Sequence, residues 1–241
     1  MTARELYQAG RLGEAVQALN AELRENPADA QRRTFLFELL SFAGNYDRAE
    51  KQLDILAQEG PDSQMGALLY RGALNAERTR SELFEKDPPT PTEAVSPPGT
   101  WNGRPFAEIE DADPRIGPRL EIFAAGQYLW VAFEHIASVE MEAPKRLRDL
   151  LWIPARVETG PAFRGRELGE VLLPVLAPLS FREADDALKL GRATDWRELP
   201  SGVTVPAGQK MLLIDGEEAP FLELRRLEFQ PAVAADQHAS A

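Results

Sequence analysis

The side chains able to do acid–base or cation chemistry gather in three short segments rich in Asp and Arg. Asp111, Asp113 and Arg115 stand in DADPR, Arg148 and Asp149 in KRLRD, and Arg192 and Asp195 in LGRATDW. Carboxylates sharing a pocket bind a cation or trade a proton, so Asp111, Asp113 and Asp195 define the enzyme or small-ligand alternative for this chain. Asp and Arg at loop junctions also pair with each other and satisfy backbone groups that loops leave open, and this architectural role is the one expected here.

Other chemistry is sparse. There is no cysteine and there are two histidines, His135 and His238, so thiolate chemistry is excluded and no metal-ligand spacing is present. His135 is expected in a turn or at the surface, and no nucleophile-elbow glycines surround Ser138 or Ser180. Gly160, Gly165 and Gly169 lack the spacing and the following Lys of a phosphate-binding loop. Neither catalytic residues nor a metal or cofactor is expected. A formal charge of −12 argues against attraction to nucleic acid or to anionic lipid. Residues 1–10 lack the apolar core of a secretory signal, and the most apolar stretch, 170–181, is broken by Pro174 and Pro178. Together with the absence of cysteine, this makes a cytoplasmic protein with no membrane span the expectation.

The elements that carry these segments are of two kinds. Leu6 and Leu40, Ala9 and Ala43, Gly10 and Gly44, Ala15 and Ala49, Leu19 and Leu53, and Pro27 and Pro61 are each separated by 34 residues, the period of a tetratricopeptide helix-turn-helix. Leu12, Ala15, Val16, Leu19 and Leu23 form one apolar stripe ending at Asn26-Pro27, and Tyr46, Ala49, Leu53 and Leu56 repeat it. Residues 64–86 read as the helix that caps the stack. Such stacks are scaffolds whose first helices line a groove for peptides or helices. In the second pair that helix spans 28–43, which makes Gln31, Arg32, Phe35, Glu38 and Leu39 the candidate partner-binding residues.

Residues 87–100, DPPTPTEAVSPPGT, hold five prolines and read as an extended, exposed linker. Beyond it the period shortens. Residues 120–124 and 128–133 flank Gly126-Gln127 as a hairpin; 136–141, 153–159, 170–176 and 210–215 are further strand candidates; 144–152 suits a short amphipathic helix. Trp101, Trp130, Trp152 and Trp196 all fall here and are expected to organise a core. The predicted class is α+β: tetratricopeptide-like repeats over 1–86, a linker over 87–100, a small antiparallel bent sheet or barrel with short helices over 101–230, and a disordered tail over 231–241.

The segments DADPRIGPRLEIF (111–123), GQYLWVAFEHI (126–136), RLRDLLWIPA (146–155) and LGRATDW (190–196), following helical repeats and a proline-rich joint, resemble the ImpE/SciE/TagJ family of bacterial type VI secretion accessory proteins. Ala177, in LLPVLAP, stands where the family pattern leads one to expect tyrosine. The resemblance implies a non-enzymatic adaptor that binds a helical segment of the small contractile-sheath subunit and assists sheath recycling. It carries no catalytic residues over to this chain.

Overall fold

The computed structural model describes residues 1–86, 88, 95–161, 163, 165 and 167–230. Five helices come first: α1 (Ala3–Gln8), α2 (Leu12–Glu25), α3 (Ala30–Phe42), α4 (Tyr46–Leu56) and α5 (Pro61–Glu85). Their ends follow from side-chain chemistry. Thr2 and Glu5 close a capping box on α1, the Asp29 carboxylate accepts the Arg32 amide at 2.9 Å to cap α3, and Pro61 opens α5 where its missing N–H costs nothing. Gly10 and Gly44 end α1 and α3 with φ of +77° and +68°, the left-handed closure that glycine adopts without strain. The stripes Leu12, Ala15, Leu19 and Ala49, Leu53 are buried, so the 34-residue period is two stacked helical hairpins.

The remainder is mainly antiparallel sheet. Its strands are β1 (Gly99–Trp101), β2 (Arg104–Phe106), β3 (Ile109–Asp111), β4 (Arg119–Ala124), β5 (Gln127–Ala132), β6 (Ile136–Met141), β7 (Trp152–Thr159) and β8 (Gly169–Pro174). After the short helix α6 (Asp186–Lys189) come β9 (Thr194–Glu198), β10 (Thr204–Gly208), β11 (Met211–Ile214), β12 (Glu217–Pro220) and β13 (Arg226–Phe229). Eight strands pair in the order β2-β1-β13-β6-β7-β8-β4-β5, three in the order β12-β11-β3, and β9 pairs β10. The large sheet ends on β2 and β5, so the fold is α+β with an open sheet and not a closed barrel. The β4–β5 hairpin turns through Ala125 and Gly126, both at positive φ, as a two-residue hairpin turn requires.

Two cores result. One joins the large and the three-stranded sheets through Ile109, Ile122, Val139, Val157, Leu173 and Leu212. The other is helical, yet it takes in Phe123, Leu151, Trp152, Leu172 and Leu190 from the second half of the chain. Helix α5 lies against β4 and β5, and Gly72 permits the approach: a Cβ there would stand 3.2 Å from the Gly126 Cα.

Some local expectations need correction. Residues 144–152 form only a 3-10 turn at Leu147–Leu150, because the Asp149 carboxylate turns back to accept the Lys145 and Arg146 amides, both at 2.8 Å, and β7 begins at Trp152. Strand β1 starts at Gly99, inside the stretch read as linker, and Pro88 is buried; residues 87, 89–94 and the tail 231–241 lie outside the described residues. His135, by contrast, sits where it is expected, half-buried in a 3-10 turn at Phe133–His135. Trp101 and Trp152 are buried, whereas Trp130 and Trp196 are only partly so.

Candidate functional site

An open groove of about 660 Å³ runs between α1, α3 and residues 144–150, with Tyr7, Phe35, Leu147 and Leu150 as its apolar lining. A second hollow of about 480 Å³ lies where α3 meets α4 and α5, lined in part by Phe37, Leu56, Tyr70 and Arg148. Gln31 borders both and is exposed. Phe35 is half-buried and meets Tyr7 edge to face, ring centroids 5.7 Å apart. Glu38 forms part of the groove wall, but its carboxylate accepts a 3.0 Å hydrogen bond from Arg148, and burial pushes its pKa up against that arginine's pull. Arg32 faces α2, where Glu22 holds it at 3.0 Å, and also pairs with Asp29. Leu39 is fully buried in the helical core. Of the five sequence candidates, Gln31 and Phe35 are therefore the ones that line the open groove without being ion-paired or fully buried.

The Asp/Arg segments do something else: they fasten sheet to helices. At the centre, Arg80 on α5 makes a two-point ion pair with Glu121 on β4, Nε to Oε1 at 2.7 Å and Nη2 to Oε2 at 2.9 Å. The guanidinium also donates to the Leu176 carbonyl at 2.9 Å and to Glu77 at 3.1 Å, and Glu77 in turn accepts the Trp152 indole N–H at 3.0 Å. Lys210 pairs with both Glu121 and Asp111, and the Tyr128 hydroxyl donates to Glu121 at 2.6 Å. Arg80, Asp111, Glu121 and Lys210 are each about 2% exposed or less, so this is a desolvated charge cluster with its partners inside it. Burial raises the Glu121 pKa, but Arg80 and Lys210 more than reverse it and hold the carboxyl at about 2. For Asp111 burial wins, helped by the neighbouring Glu121 charge and opposed by Lys210, and the pKa rises to about 7.

The rest of DADPR prepares this contact. Asp113 accepts the Arg115 backbone N–H at 3.0 Å and its Nη2 at 2.7 Å, and the guanidinium lies 4.8 Å from the centre of the Phe84 ring at the end of α5. Arg148 of KRLRD joins Glu38 to the Tyr70 ring, 5.0 Å away.

LGRATDW and the residues before it close the turns of the helical hairpins. Arg192 donates to the Tyr7 and Gln8 carbonyls at 2.7 and 3.0 Å, satisfying the free end of α1. Asp186 accepts the Leu12 amide at 2.8 Å and so caps α2 from 174 residues away. The Phe181 ring covers Gly44, where a Cβ would come within 2.3 Å of it, and meets Tyr46 at 5.8 Å. Asp195 is apart from all of this: it is exposed on β9 and pairs with Arg197. Among the described residues no three His, Cys, Asp or Glu side chains are grouped to hold a metal ion.

Arg80, Glu77, Glu121, Lys210 and Asp186 were not among the sequence candidates. Glu121 carried a usable signal, a single carboxylate within the apolar run of β4 between Leu120 and Ile122.

The same layout occurs in known proteins. Residues 6–71 match the tetratricopeptide repeat model and residues 103–228 match the model of the ImpE protein. The chain belongs to the ImpE family. It is 33% identical to the type VI secretion system accessory component TagJ of Pseudomonas aeruginosa, over 97% of this chain and 93% of that one. The crystal structure of protein VPA1032 from Vibrio parahaemolyticus has the same fold, with a TM-score of 0.83 over 95% of this chain and 97% of that one at 22% identity. The latter half of α5, which carries Glu77 and Arg80, falls between the two matched ranges of this ImpE-family chain.

Proposed function

We propose that this chain is a non-enzymatic accessory component of a type VI secretion system, and that it works in the cytoplasm by holding a helical segment of the small sheath subunit and assisting sheath recycling. Residues 1–86 supply most of the grip, and residues 101–230 position it and lend Leu147 and Leu150 to the groove. The observation that carries the reading is the difference in how polar and aromatic groups are used. Most of the Asp and Arg residues that suggested an enzyme are engaged at the junction, whereas Gln31 and Phe35 face an open groove between the first helices of the repeats. Similarity to a protein named as a secretion accessory component supports the setting. The groove suits a helix because first helices of stacked repeats present a continuous concave wall.

Titration of the N-terminal helix of the small sheath subunit into the full-length protein, followed by calorimetry, tests this. Saturable binding to the wild type, lost in Phe35→Asp with the melting temperature little changed, is the expected result. Equal binding to both proteins would place the contact elsewhere, and no binding to either would remove the sheath assignment. The full chain is used because cutting after residue 86 would strip Arg80 of Glu121.

A further inference from the structure

The groove differs in sign from the molecule that carries it. The chain has a net charge of −12. Yet Arg4 from α1 and Arg146 from the loop stand exposed on different walls of the groove, and among the described residues neither takes part in an ion pair. Lys145 beside them pairs with Glu142, but both ends are more than 70% exposed, a pair that water and salt largely dissolve. The groove's carboxylate, Glu38, is already held by Arg148. Between the cations lie Tyr7, Phe35, Leu147 and Leu150, with the Arg4 guanidinium 5.8 Å from the centre of the Phe35 ring.

We infer that the segment held here is an amphipathic helix with carboxylates flanking its apolar stripe, the stripe resting on Phe35 and Leu147 and the carboxylates meeting Arg4 and Arg146. This rests on the reading of the groove as the partner site and adds the partner's chemistry. An acidic protein rejects a second acidic body at long range, so a cationic groove also selects where such a partner lands.

Two labelled helical peptides test it, each with the same leucine stripe, one flanked by Glu and the other by Lys, with affinity read by fluorescence anisotropy on the full-length protein. The Glu peptide is expected to bind about tenfold more tightly at low salt. That preference should shrink in about 0.5 M salt and reverse in the double variant Arg4→Glu, Arg146→Glu, whose exposed sites leave the melting curve unchanged. Equal affinities, no binding of the Glu peptide, or a preference that survives both the double variant and high salt would overturn the inference. Its failure is separable from failure of the groove reading. If Phe35→Asp abolishes sheath-helix binding while the peptides show no charge preference, the groove stands and the acidic flanks fall; if Phe35→Asp changes neither, the groove falls.

Discussion

The junction and the groove are both built from arginine, carboxylate and aromatic side chains, and they use them in opposite ways. At the junction, Arg80, Glu121, Lys210 and Asp111 are withdrawn from water and spend their hydrogen-bonding capacity on one another. In the groove, Arg4, Gln31 and Arg146 remain exposed beside half-buried Phe35 and Leu147. Residue type is therefore a poor guide to role in this chain. What separates the two regions is whether a charge finds its partner inside the molecule.

The contrast breaks most directly at Arg80. Arg80→Ala leaves Glu121 buried with Lys210 as its remaining cation and Glu77 with the Trp152 N–H; it should cost about 3–5 kcal/mol in chemical denaturation, the range for stranding a buried charge. A loss below about 1 kcal/mol would mean that the cluster behaves like a surface pair. At the repeat turns, Gly44→Ala forces a side chain into positive φ and into the Phe181 ring, for an expected loss of about 1–3 kcal/mol.

The two junction carboxylates carry opposite pH signatures. Glu121 lies below its ordinary 4.5, so its contribution is complete above that pH and is lost as pH falls toward 2. Asp111 lies above its ordinary 3.8, so the folded state keeps a proton the unfolded chain has released; that contribution is complete below about pH 4 and is lost as pH rises through about 7. Compared with wild type, Asp111→Asn should show a flatter fall of melting temperature between pH 5 and 8, and parallel curves would mean that Asp111 is ionised throughout that range.

How far the sequence reveals all this depends on the range over which each signal acts. The helices were legible because Gly10, Gly44 and the apolar stripes recur at one spacing, and β4 to β7 because their runs are long enough to show alternation or a glycine turn. Strands β1 to β3 have three residues each, too few for a period of two, and they exist because distant partners such as β13 and β11 complete them. In the groove, Phe35 and Gln31 could be named from helix position alone. Leu39, on the same helix, points into the core, because one helical face must pack on its neighbours before another can bind a partner. The junction was invisible for another reason: its members come from α5, β4 and the residue before β11, and only the folded topology brings residues 80, 121 and 210 together.

The capping of α2 by Asp186 has a consequence for how the chain is made. Leu12 leaves the ribosome 174 residues before the carboxylate that satisfies its amide, an interval of roughly 10–35 s at ordinary rates of synthesis. Arg80 likewise precedes Glu121 by 41 residues. Until Asp186 is made, α2 stands without its N-terminal cap, whereas α1 and α3 carry caps of their own and Arg80 meets Glu121 well before that point. A ribosome that stops before codon 186 releases a chain whose Leu12 amide has never found its carboxylate, and the first hairpin is where such a species would fray.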